Sequence, residues 1–253
     1  MQEKHLKMKN NFKNLLIISI SGLLMTACNS GGSNTASPTT TSSTNVLYVC
    51  GGNTGRSPSA EALSNANGIN AFSRASGLDA SDPLEMEQGA LDALTRLATS
   101  ENKASNFYTK YVQGRQAQQV SYSDIVKSSA VYPMTEGHMC RIVLNIQTNA
   151  GSNNEAQQQF AKVHLISSCA TGKYVSVPDG FGVPEDQEVA VYDGIINQLN
   201  NYVLTIKNNN NSCVAPTEYT KLNSSLSDAV DYCCANYSSD LNKRFNQYCA
   251  TPH

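Results

Sequence analysis

The sequence predicts an α/β fold: a doubly wound, four-stranded parallel sheet with flanking helices, followed by a small Cys-rich helical C-terminal appendage. Three observations carry this expectation. Short apolar runs of strand type alternate with stretches of helical spacing. The first run ends in a Gly-rich loop that opens directly into a helical stretch. Four of the eight cysteines lie in the last 41 residues, beyond the polar break Asn208-Asn209-Asn210-Asn211.

The chain begins with Lys4, Lys7, Lys9 and Lys13 against a single acid, Glu3, followed by the apolar core Leu15 to Met25 and then Thr26-Ala27-Cys28. A basic region, a short apolar core and small residues before a cut make a secretory signal over 1–27. The core is too short to span a bilayer, which needs about 20 apolar residues. Met25-Thr26-Ala27-Cys28 resembles a bacterial lipobox, in which Cys28 is lipidated, cut free at its N-terminal side and anchored in the membrane. The Ser/Thr/Gly-rich stretch 28–45 has no apolar period and no charge, so it reads as a disordered tether. The implied location is a bacterial membrane surface, facing the periplasm or the exterior.

Without residues 1–27 the net charge falls from -2 to -5, and no basic cluster remains, which argues against a nucleic-acid partner. An exported chain is free to form disulfides. Cys28 and Cys50 aside, the six remaining cysteines are Cys140, Cys169, Cys213, Cys233, Cys234 and Cys249. Cys140 and Cys169 either pair with each other or fill core space. The appendage, 208–253, is expected to be stapled by disulfides of open connectivity, because so short a tail buries little core. Zinc is the rival, but the tail has no Cys-x-x-Cys pair and its one histidine is His253, so no metal is expected.

The domain proper spans 46–207. Val46 to Val49 reads as a buried strand running into Cys50. Helical character follows over 59–68, with Ser57 as N-cap, Pro58 in the first turn and Gly68 closing the helix. A second strand is expected over 69–74, a helix over 82–99, a third strand over 126–134, a fourth over 161–167, and a long amphipathic helix over 187–207. Residues 100–120 are less patterned. In such sheets ligands sit at the carboxyl ends of strands, which is where Cys50 falls.

The chemistry concentrates in Cys50-Gly51-Gly52-Asn53-Thr54-Gly55-Arg56-Ser57. Glycines allow the backbone φ > 0 and a close wrap around an anion. The N–H groups of residues 51–56 and the following helix N-terminus then face a phosphate, and Arg56 grips two of its oxygens. The same field favours a thiolate at Cys50, the form that attacks phosphorus. Ser57 is positioned to donate a hydrogen bond to that sulfur, and Asn53 to brace the loop.

Extended to residues 46–62, with Arg56-Ser57-Pro58 and Ala60-Glu61-Ala62, this string resembles the signature of the low-molecular-weight protein tyrosine phosphatase family. The resemblance covers roughly 46–207. It implies a phosphomonoester hydrolase with a phosphocysteine intermediate, no cofactor, and a phosphotyrosine protein or small phosphoester as substrate. It also implies a late aspartate as general acid. The matching run is Pro178-Asp179-Gly180-Phe181, so Asp179 is the expected acid and Phe181 the contact for an aryl group. Glu185, Asp186 and Glu188 are the neighbouring alternatives. The chain departs from the family where Asp179 is followed by Gly180 instead of Pro, and where Ala75-Ser76-Gly77 inverts a Ser-Ala-Gly motif. His138 and His164 are expected to be structural.

Two other functions remain in view. Thioredoxin-coupled arsenate reductases share the Cys-x5-Arg loop but use two further, closely spaced redox cysteines, whereas Cys140 and Cys169 are 29 residues apart. A binding module that kept the phosphate cradle without turnover is the second.

Overall fold

Strand β1 (Val46–Cys50) is the centre of the molecule, buried along its whole length. Its side chains alternate between two apolar layers, as the period of two in a strand requires. Val46, Tyr48 and Cys50 face one core, and Leu47 and Val49 the other. The computed structural model describes residues 45–217, 220–237 and 249. The expected signal, Cys28 and the tether up to residue 44 lie outside the described residues.

β1 pairs in parallel with β2 (Ala71–Ala75) on one side and β3 (Ala130–Pro133) on the other, in the order β2-β1-β3. The register runs Val46 to Ala71 and Val46 to Ala130. The expected fourth strand, 161–167, contributes a single parallel bridge, Val131 to Val163. It cannot extend because α5 (Asn153–Phe160) ends just before it and α6 (Ile166–Thr171) begins just after it. The third strand is likewise shorter than expected. Its first two residues, 126 and 127, are the end of α3 (Tyr122–Lys127), a helix started by a capping box between Ser121 and Asp124.

Helices cover both faces of the sheet, so the doubly wound arrangement holds with three strands. α1 (Arg56–Ala66), α2 (Gln88–Ser100) and α7 (Glu185–Asn208) build the first core. α7 buries Tyr192, Ile195, Ile196, Leu199, Val203 and Ile206 along one stripe, each large aliphatic worth about 1.5–3 kcal/mol of burial. Its first turn carries Glu185, Asp186 and Glu188 and its last turn Lys207, the polarity its dipole favours. The second core lies under α4 (Glu136–Asn149) and α8 (Leu226–Tyr237). α4 and α5 have no counterpart among the expected elements. The helix expected over 82–99 starts later, after Pro83 and the extended residue Glu87.

The cysteines pair as Cys140–Cys233, Cys169–Cys213 and Cys234–Cys249. Cys140 and Cys169 do not pair with each other, because they face opposite cores. Two of the three bridges therefore tie the C-terminal region to the α/β domain, and only the third lies within it. α8 packs directly on α4, burying Leu226, Ala229, Val230 and Cys233.

Candidate active site

The loop 51–55 leaves the carboxyl end of β1 and enters α1, which puts Cys50, 3% exposed, beneath a ring of backbone. α1 starts at Arg56 with Gly55 as N-cap and no side-chain cap. Ser57 is thus not the N-cap expected. Its hydroxyl is turned to the sulfur instead, with Oγ donating to Cys50 Sγ at 3.0 Å. The orphan N–H groups of the first turn stay available to an anion.

The left-handed turn in this loop is made by Asn53, at φ 61°, and not by a glycine. Glycine is needed for space at Gly55, where a Cβ would lie 2.7 Å from the Glu87 carboxylate, whereas one on Gly51 would make an ordinary contact with His138 Nε2 at 3.5 Å. Asn tolerates the left-handed region when its side chain is held locally. Here Asn53 Nδ2 donates to Ser57 Oγ and Ser73 Oγ, both at 2.9 Å. Its Oδ1 accepts from Arg115 Nη2 at 2.6 Å, and its backbone carbonyl from Arg115 Nη1 at 3.0 Å. Arg115 also pairs with Glu61, 3.6 Å away, whose carboxyl is pushed up by burial and drawn back by the Ser73 hydroxyl and by Arg115. Burial moves the Arg115 guanidinium down.

A second brace holds Thr54. Its Oγ1 donates to Glu87 Oε1 at 2.6 Å, Glu87 N donates to the Thr54 carbonyl at 2.9 Å, and Tyr192 of α7 donates to the other Glu87 oxygen. Burial and this carboxylate push the Tyr192 phenol up.

Arg56 is buried, with Nη1 donating to the Val177 carbonyl at 3.1 Å and Nη2 to Asp179 Oδ2 at 2.5 Å. Asp179 is half-exposed, and its other oxygen accepts from Phe181 N at 3.3 Å. Phe181 itself is 71% exposed. A cavity of about 150 Å3 is lined by Cys50, Gly51, Gly52, Thr54, Gly55 and Arg56 from below, and by Asp82, Pro83, Glu87, Asp179 and Phe181 around its mouth. Asn53 and Ser57 lie fully buried behind the loop. The alternative acids Glu185, Asp186 and Glu188 do not line the cavity. His138 is buried beside Gly51, its pKa driven well below the ordinary value by desolvation and by Arg56 and Arg141. His164 is moved down by burial as well, and its backbone pairs with Val131.

Arg115, Glu61, Asp82, Glu87 and Tyr192 were not among the expected site residues. Arg115 falls in the unpatterned stretch, 62 residues from the side chain it holds, and no local spacing signals such a contact.

A sheet of this order, with a cysteine at the end of its central strand and an arginine-closed anion loop, defines the low-molecular-weight protein tyrosine phosphatase fold. Among solved structures, the chain is similar to the YwlE arginine phosphatase from Geobacillus stearothermophilus, at 22% identity and a TM-score of 0.50, over 66% of this chain and 93% of that one. It is similar also to a low-molecular-weight phosphotyrosine phosphatase from Vibrio cholerae, at 18% identity and a TM-score of 0.51, over 66% of this chain and 97% of the other. At such identities the likeness is one of fold. No family model matches the chain, and no curated protein does.

Proposed function

We propose that the chain is a phosphoric monoester hydrolase of the protein tyrosine phosphatase kind, working through a phosphocysteine. The observation that carries this is the convergence of Cys50 and the Arg56–Asp179 pair at one small cavity, with the Ser57 hydroxyl behind the loop 3.0 Å from Cys50 Sγ. In the first step the Cys50 thiolate attacks phosphorus, the bond to the leaving oxygen breaks, and Asp179 supplies that oxygen with a proton. Arg56 exchanges its carboxylate partner for two phosphoryl oxygens, which frees Asp179 for this task. The loop N–H groups bear the charge that develops on the equatorial oxygens. In the second step the Asp179 carboxylate takes a proton from water, the hydroxide attacks phosphorus, and the P–S bond breaks. Ser57 steadies the departing thiolate.

The substrate is a phosphoprotein or small phosphoester. Phosphotyrosine is the first candidate, with Phe181 at the mouth for an aryl group. One observation favours a second: three carboxylates, Asp82, Glu87 and Asp179, line the cavity against the single cation Arg56. An acidic mouth suits a cationic leaving group, and the solved neighbour named an arginine phosphatase points the same way. Arsenate reduction is disfavoured because Cys140 and Cys169 are both held in disulfides with the C-terminal region. Export and lipidation at Cys28 belong to the same reading, supported by three disulfides that suit an oxidising compartment.

Cys50→Ser is expected to abolish p-nitrophenyl phosphate hydrolysis while retaining the fold. Unchanged turnover would sink the assignment, and phosphotyrosyl against phosphoarginyl peptides decide the leaving group.

A further inference from the structure

A second cleft, of about 610 Å3, also opens at Gly51, Arg56 and Asp179. Its other walls include Arg141 and Ser176 of the α/β domain and Tyr237, the last residue of α8. Tyr237 comes from the C-terminal region and is fixed there by several independent contacts. Its hydroxyl donates to Glu136 Oε2 at 2.9 Å, beside the Tyr232 hydroxyl at 3.1 Å on the same oxygen. Its ring lies 3.5 Å from where a Cβ on Gly137 would stand. The Cys140–Cys233 bridge, one turn back along α8, locks that helix onto α4.

We propose that this cleft receives the peptide chain flanking the phosphorylated residue, with Tyr237 as a specificity-determining wall supplied by the C-terminal region. The inference rests on the phosphatase reading of Cys50. The first cavity has room for little beyond the phosphoryl group and the start of its leaving group, whereas the second is about four times larger. Both share Arg56 and Asp179, so a substrate held at Cys50 continues into the second cleft if it is longer than a small ester. The cleft combines a rigid amphipathic tyrosine with polar partners, the mixture that recognises a peptide main chain.

The test uses the full chain and two substrates: p-nitrophenyl phosphate and a phosphotyrosyl octapeptide. Tyr237→Ala is expected to lower the ratio of kcat/KM for peptide over small ester about tenfold, through KM. Tyr237→Phe keeps the ring and is expected to restore the ratio. An equal fall on both substrates, or no fall on either, overturns the inference. Independently of any variant, the wild-type chain should prefer the octapeptide to free phosphotyrosine, and equal kcat/KM for the two overturns it as well. A wild-type chain inactive on p-nitrophenyl phosphate, by contrast, overturns the phosphatase reading itself.

Discussion

Arg115 donates two hydrogen bonds to Asn53, the residue that takes the strained turn of the loop, and Asn53 in turn donates to Ser57, which donates to Cys50. The sulfur is thus oriented by an arginine three links away. Arg115→Ala breaks this chain and removes the nearer of the two cations that act on Glu61, leaving Arg74. A loss of about 2–3 kcal/mol in stability is expected, with kcat lower by about tenfold to a hundredfold and KM little changed. Thermal melts beside steady-state kinetics check both. Lysine at this position should rescue only in part, because it cannot make the forked contact. His138 supplies a pH signature. Its folded pKa is well below the ordinary value, so as pH falls below about 6.5 the unfolded chain gains a proton that the folded chain refuses. Stability is therefore present above that pH and lost below it, at up to about 1.4 kcal/mol per pH unit for this residue. Urea unfolding at pH 7 and pH 5 should show the slope, and His138→Gln should flatten it. His164, shifted the same way, leaves a smaller residual slope.

At the scale of elements, single side chains from outside the loop brace it. α2 is preceded by Glu87, which clamps Thr54, and α7 sends Tyr192 to hold Glu87. The loop before α7 brings Asp179 to Arg56. α8 reaches the site from the C-terminal region because the Cys140–Cys233 bridge, which spans 93 residues, pins it to α4. On the chain-entropy account, a closed loop of that length contributes about 4.6 kcal/mol by constraining the unfolded chain. The Cys140→Ala/Cys233→Ala double variant is expected to unfold at a correspondingly lower denaturant midpoint. A midpoint equal to that of the wild type would mean that α8 adds no stability through this bridge.

For the whole molecule, the described residues carry three disulfides and one free cysteine, the buried Cys50. Among the described residues no helix is long and apolar enough to cross a membrane, and Cys28 lies outside those residues. Expression of the full chain in a bacterial host with labelled palmitate should mark the protein, and Cys28→Ser should abolish the mark and release the protein from membranes. Retention of label in that variant would overturn the lipid anchor. Cys50, the cradle around it and the alternation of strands with helices were legible in the sequence, because each depends on neighbours in the chain: an apolar run, a glycine loop, a helix start. The position of Asp179 beside the loop was expected from its order along the chain and the Phe181-Gly182 that follow. The left-handed turn at Asn53, the hold of Arg115 and Glu87 on the loop, the collapse of the fourth strand to one bridge, the disulfide partners and the arrival of Tyr237 in a cleft that Arg56 also lines were decided only by the tertiary structure. Each joins residues far apart in sequence, and no local period or propensity encodes which distant side chains packing will bring within hydrogen-bond reach.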